Sequence, residues 1–233
     1  MQDSNAYQQF ASDTLGVTFG DIDLLVRAFT HRSYVNEHKK TSQSHNERME
    51  FLGDAVLELV VTNFLYTHFS EPEGILTNWR SALVRTESIG EAAKRCGFEP
   101  MLRLSRGEKR GTGRARDQIL ANSYEAVLGA IYLDQGYDAA QKFIENSLLI
   151  TFEEILKTGS WMDAKSSLQE QAQSRDNSTP VYKVISEEGP DHDKVFTVGV
   201  YIDGTLRGQG TGPSKQAGQQ AAAQVALDRY DNS

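Results

Sequence analysis

Residues 45–61, His-Asn-Glu-Arg-Met-Glu-Phe-Leu-Gly-Asp-Ala-Val-Leu-Glu-Leu-Val-Val, constrain the fold more than any other stretch. The run reads as one helix, apolar nearly all round. Yet Glu47, Glu50, Asp54 and Glu58 recur at i, i+3, i+7 and i+11. At about 100° per residue these four acids share one stripe roughly 80° wide. Met49, Leu52, Val56, Leu59 and Val60 take the opposite side, while Phe51, Leu57 and Val61 flank the acids. Like charges three and four residues apart on a helix repel, and apolar neighbours desolvate them. A hard cation is the simplest thing that offsets such a cost. The fold is therefore expected to bring a second set of ligands to this helix.

Residues 118–133, Gln-Ile-Leu-Ala-Asn-Ser-Tyr-Glu-Ala-Val-Leu-Gly-Ala-Ile-Tyr-Leu, supply the best candidate. This second helix reads as core on all sides and carries one carboxylate, Glu125, with Asn122 one turn earlier on the same face. A carboxylate in an apolar helix is rarely left unpaired. Glu50 and Asp54 facing Asn122 and Glu125 make an all-oxygen donor set of the kind Mg2+ prefers. No Glu-x-x-His occurs in the chain, which disfavours a di-iron carboxylate bundle.

Apolar residues recur at helical spacing through 24–29, 46–69, 75–96, 117–133 and 137–156, with turn signals between them. Residues 5–156 are thus expected to form an all-α domain. Near 157–162 the pattern changes. A short helix over 163–173 precedes strand-like runs at 181–186, 194–202 and 206–210, with Asp203-Gly204 as a hairpin turn. An Ala-rich helix over 216–230 closes the chain. The fold class is α+β in two domains, 1–158 all-α and 159–233 α-β-β-β-α, with a linker at about 157–162.

The 233 residues carry a net charge of −8, which taken alone argues against nucleic acid as a partner. One local feature runs against that total. Residues 102–116 hold six basic residues and one acid among several glycines. Cys96 is the single cysteine, so an intrachain disulfide is impossible, as suits a reducing compartment. No run approaches the roughly 20 apolar residues of a membrane span, and the first ten residues lack a basic region followed by an apolar one. A cytoplasmic chain with no membrane partner is expected.

His-Asn-Glu-Arg-Met-Glu-Phe-Leu-Gly-Asp-Ala-Val-Leu at 45–57 closely resembles the signature of the ribonuclease III family. Ala-Phe-Thr-His-Arg-Ser-Tyr at 28–34 resembles that family's N-terminal motif, and residues 116–126 resemble its second acidic motif. The C-terminal segment resembles a double-stranded-RNA-binding domain. The resemblance runs in order over nearly the whole chain. It implies a homodimeric endoribonuclease that hydrolyses double-stranded RNA with Mg2+, for which Mn2+ is a possible substitute. The implied products carry 5′-phosphate and 3′-hydroxyl ends with two-nucleotide 3′ overhangs, and the implied targets are precursors of ribosomal RNA and messenger RNAs.

Carried over by motif, Glu50, Asp54 and Glu125 are metal ligands, with Asp54 and Glu125 central to catalysis. Asn122 stands at the fourth ligand position, where the family most often has Asp. Glu47 and Glu73 match supporting acids. Phe51 resembles the aromatic residue that inserts into the partner subunit. Arg106, Lys109 and Arg110 lie where the family contacts the RNA backbone. In the C-terminal domain, Gln169 and Glu170 match minor-groove contacts, His192 a loop contact in the next minor groove, and Ser214 and Lys215 a phosphate-binding helix start. The family usually has two or three lysines there. This domain carries seven Lys/Arg against ten Asp/Glu over 163–233, so weak binding on its own is expected.

Blander readings accompany each residue. Acidic stripes are usually solvated helix faces, His31 and His45 read as structural hydrogen-bonders, and Tyr124 and Tyr132 read as core. The alternative function is a non-catalytic double-stranded-RNA-binding relative, such as the copies of this fold in some ribosomes. Retention of three of the four family acids favours the enzyme.

Overall fold

The computed structural model describes residues 4–38, 44–159, 161, 164–190 and 194–231. They form two units, Met1–Trp161 and Met162–Ser233. The first is helical: α1 (Ser4–Phe10), α2 (Ile22–Ala28), α3 (Arg32–Glu37), α4 (Glu47–His68), α5 (Glu73–Val84), α6 (Thr86–Arg95), α7 (Arg114–Gln135), α8 (Tyr137–Ser147) and α9 (Phe152–Thr158). The second holds α10 (Ala164–Asp176), β1 (Val181–Glu188), β2 (Val195–Ile202), β3 (Thr205–Gly212) and α11 (Lys215–Asp231).

The core of the first unit is built around α4 and α7. Leu57, Val61 and Leu65 of α4 and Leu120, Val127, Leu128 and Ile131 of α7 are fully or almost fully buried. Phe29 and Phe98 stack edge-on beside them, with centroids 5.0 Å apart. A second aromatic group, Phe69, Trp79 and Phe152, receives Trp161 edge-on at 5.8 Å. Residues 157 and 158, expected in the linker, are still helical, and α9 ends on Gly159 with φ +66°.

Three expectations for this unit need correction. The apolar periodicity over 75–96 spans two helices, because Arg85 is extended and Ser88 Oγ donates to the Ala82 carbonyl across the break. Leu59, grouped with the apolar residues opposite the acids, is 58% exposed, while Met49, Val56 and Val60 of that group are buried. Tyr132, expected in the core, is also exposed, whereas Tyr124 is buried with its hydroxyl 2.6 Å from Ser147 Oγ. A 22-residue helix packs only part of its circumference, so a helix apolar nearly all round leaves some apolar residues facing out.

The sheet of the second unit is antiparallel in the order β1-β2-β3, with Val184 opposite Val198 and Val198 opposite Gly210. Asp203 and Gly204, both at positive φ, make the tight β2–β3 turn that this dipeptide favours. Leu168 and Ala172 of α10 meet Val200 and Ile202 of the sheet and Ala222, Ala223 and Ala226 of α11. The alanines let α11 lie so close that a Cβ on Gly208 or Gly210 would overlap its backbone. The expected helix start at Asp163 lies outside the described residues.

Candidate active site

α4 and α7 touch through two glycines. A Cβ added to Gly53 would fall on the Glu125 carbonyl oxygen and 2.9 Å from the Gly129 nitrogen. One added to Gly129 would overlap the Met49 carbonyl oxygen. With no side chain between them the helix backbones meet, and Glu50 and Asp54 of α4 come up against Asn122 and Glu125 of α7. Neither glycine was singled out in the sequence. The signal available was glycine inside an otherwise helical run, which costs helix stability unless packing requires it.

The electrostatics follow from this approach. Burial pushes the Glu125 carboxyl up to about 8, and the Asp54 and Glu50 charges add to the effect. Burial also raises Glu50, with contributions from the Glu47 and Asp54 charges, while a hydrogen bond from Asn122 opposes the rise. Asp54 is exposed on the open side of the group. Among the described residues, no three Asp, Glu, His or Cys side chains converge on one point. The carboxylates lie close enough to repel without closing into a cage. Oxygen donors only, half-buried on one side and open to water on the other, fit a hard divalent cation that keeps waters in its coordination shell.

The other two acids of the stripe have partners. Glu47 lies 3.4 Å from Arg32 Nη1 and 3.7 Å from His45 Nδ1. Glu58 lies 3.2 Å from Arg80 Nε. The stripe is therefore not desolvated along its length; only its Glu50 segment, facing α7, is. Glu73 stands exposed in the first turn of α5. Phe51, next to Glu50, is 81% exposed.

The family-like segment 28–34 has a structural task. Asn46, buried at the start of α4, donates from Nδ2 to the Ala28 carbonyl and from its backbone N–H to the Thr30 carbonyl. Arg103 donates from Nη1 to Thr30 Oγ1 and from Nη2 to the Tyr34 hydroxyl, with its guanidinium 4.4 Å above the Tyr34 ring. Ser33 Oγ accepts from the Ser105 N–H. His31 caps α3, its Nδ1 accepting from the Ser33 N–H, and burial lowers its pKa. Arg116 donates to the Glu108 and Lys109 carbonyls and braces the other end of the basic loop. Of six basic residues in that loop, Arg103 and Arg116 turn inward. Arg106, Lys109, Arg110 and Arg114 remain exposed, a local positive surface on an acidic protein. Arg106 already lies 3.5 Å from Glu37.

In the second unit Gln169 and Glu170 are exposed side by side on α10. Ser214 caps α11, its Oγ accepting from the Ala217 N–H. Lys215 lies 3.3 Å from Glu187 and 5.7 Å above the Phe196 ring, so part of its charge is already countered. His192 lies outside the described residues.

A Ribonuclease-III-like family model matches residues 21–152, and a double-stranded RNA binding motif matches 164–230. The chain belongs to the ribonuclease III family. It is 48% identical over 216 residues to ribonuclease 3 of Enterococcus faecalis, covering 91% of this chain and 92% of that protein. It is 44% identical over 229 residues to ribonuclease 3 of Streptococcus thermophilus, covering 98% and 100%. The solved nuclease domain of ribonuclease III from Campylobacter jejuni is 34% identical, covers 59% of this chain and 93% of its own, and superposes with a TM-score of 0.54. The chain is accordingly an endoribonuclease of this family, with a catalytic helical unit and a double-stranded-RNA-binding unit. The acidic total charge is no obstacle, since the positive charge is local. No helix among the described residues is long and apolar enough to cross a membrane.

Proposed function

We propose that this ribonuclease III cleaves double-stranded RNA at the Glu50–Asp54–Glu125 group, using Mg2+ or Mn2+. The reading rests above all on the Gly53–Gly129 contact, which brings α4 and α7 together so that the charges of Glu50 and Asp54 act on Glu125, a repulsion that a bound cation would relieve. Glu50, Asp54 and Glu125 would hold the cation, and Asn122 stands at the edge of the same group. Burial and the Asp54 and Glu50 charges favour the protonated form of Glu125, and a cation held by this group would favour the ionised one. Bound there, a divalent cation supplies Lewis acidity and an activated water for hydrolysis. No side chain needs to attack phosphorus, so the residues' work is to bind, orient and carry charge. Glu47 and Glu73 play no more than supporting roles.

The ribonuclease works as a homodimer, one site per strand, leaving 5′-phosphate and 3′-hydroxyl ends and two-nucleotide 3′ overhangs. Exposed Phe51, Ala55, Leu59, Thr62 and Tyr66 form one stripe on α4, the kind of apolar surface a subunit interface covers. The C. jejuni nuclease domain is likewise described as having a region involved in dimer formation. Arg106, Lys109 and Arg110 with Gln169, Glu170, His192, Ser214 and Lys215 contact the duplex. Precursors of ribosomal RNA and messenger RNAs are the natural targets, in the cytoplasm. The test is a long RNA duplex incubated with Mg2+, Mn2+ or EDTA, with product ends mapped. Wild type is expected to cut in either metal and not in EDTA. Glu125→Gln is expected to bind the duplex and leave it uncut; cleavage at the wild-type rate removes Glu125 from the site.

A further inference from the structure

The second unit carries three arginines, Arg175, Arg207 and Arg229, among its seven basic residues over 163–233. All three line one opening of about 440 Å3. They arrive on three different elements. Arg175 stands in the last turn of α10, Arg207 on β3 and Arg229 in the last turn of α11. Arg229 Nη1 donates to the Arg207 carbonyl at 2.9 Å, which ties α11 to β3 at this end. Asp176 adds an acid to the opening, and Leu206 and Ala226 add apolar surface.

A cation in the last turn of a helix offsets the helix dipole, which accounts for Arg175 and Arg229 one at a time. It does not account for Arg207, which sits on a strand, or for the meeting of all three. Asp176 and two helix C-termini of about half a charge each counter part of the guanidinium charge, and the balance stays positive. That balance is local, in a unit with seven basic residues against ten acids. The opening is also remote from the residues that match duplex contacts. Lys215 starts α11, and Arg229 lies about 21 Å further along the helix at 1.5 Å per residue. Arg207 lies beside the Asp203-Gly204 turn, at the opposite end of the sheet from the β1–β2 connection.

We propose that this opening is a second anion site of the RNA-binding unit, one that takes a phosphorylated ligand of nucleotide size. Guanidinium groups bind phosphate bidentately and stack on planar rings such as nucleobases. The volume is that of a small-molecule pocket. Two sources share this chemistry, a free nucleotide and the 5′-phosphorylated end of a single RNA strand.

The experiment titrates the full-length protein calorimetrically in EDTA at low salt, with ADP and separately with a 5′-phosphorylated RNA trinucleotide. At least one is expected to saturate a single site per chain. Saturation by ADP names a free nucleotide as the ligand, and saturation by the trinucleotide alone names a strand end. Arg175→Gln combined with Arg207→Gln is expected to weaken that binding about 10-fold or more. Both side chains are exposed, and Arg229 with its bond to β3 is kept. Lys142→Gln combined with Lys157→Gln removes the same charge from exposed positions of the first unit and should bind as wild type does. Arg207→Lys keeps the charge without the planar fork, and a loss of roughly threefold or more is expected even if the double arginine variant melts early. No saturation by either ligand overturns the proposal. So does unchanged binding by Arg207→Lys, or equal weakening by the arginine and lysine double variants, which would reduce the effect to net charge.

Discussion

Glu125→Gln is expected to make the metal-free protein more stable. The unfolded chain releases the Glu125 proton near 4.5, and the folded chain holds it until about 8. Below 4.5 both states keep the proton and the carboxyl costs nothing. As pH rises from 4.5 towards 8 the unfolded state ionises freely and the folded state resists, so stability falls. Above 8 the loss is complete. At 1.36 kcal/mol per pKa unit, a gap of that width corresponds to about 4–5 kcal/mol. Water reaching the open side, where Asp54 is exposed, brings the expected gain on neutralising Glu125 to about 2–3 kcal/mol. A unit the size of Met1–Trp161 gains about 2–4 °C in melting temperature per kcal/mol, or about 5–10 °C in all. The assay is calorimetric melting in EDTA at pH 8.0 and pH 5.0. The variant should melt higher at pH 8.0 and nearly level with wild type at pH 5.0. Saturating Mg2+ at pH 8.0 should raise wild type more than the variant, because the cation binds only the folded acid group. A variant that melts at or below wild type at pH 8.0, or a difference that does not change with pH, refutes this account of the site's electrostatics.

Gly53→Ala puts a methyl group on the Glu125 carbonyl, so a loss of at least about 3 kcal/mol and a melting temperature lower by at least about 6 °C are expected by circular dichroism. Phe51→Ala should leave protomer folding intact, since the ring is exposed, and should raise the dimer dissociation constant about 30-fold or more in sedimentation equilibrium, as loss of a central aromatic anchor does. Arg110→Ala should keep the wild-type melting temperature, weaken duplex binding and reduce the slope of log K against log salt by about one. Arg103→Ala, which removes a buried guanidinium and its hydrogen bonds to Thr30 and Tyr34, should instead lower stability by about 2 kcal/mol in a denaturant titration.

Local chemistry made much of this protein legible in its sequence. The spacing of Glu50 and Asp54 put both on one helix face, and the lone Glu125 in an apolar run marked its partner. The change from helical to alternating periodicity and the Asp203-Gly204 turn foretold the second unit. These readings hold because helix and strand periods and turn preferences are short-range properties. Tertiary structure decided which members of a face matter. Glu47 and Glu58 share the stripe with Glu50, yet Arg32 and Arg80, distant in sequence, take them up, with the neighbouring His45 also beside Glu47. Arg103 and Arg116 look like loop cations and are spent inward, on Thr30, Tyr34 and backbone carbonyls. Leu59 looks like core and faces out. Asn122 looks like a free ligand oxygen, and that oxygen already accepts a hydrogen bond from Gln118. Periodicity says which way a side chain points along its own helix. It does not say what stands opposite, and charge, burial and amide orientation are all properties of the opposing partner. For the acids that partner is α7, brought into contact at Gly53 and Gly129, two residues whose importance lies in having no side chain.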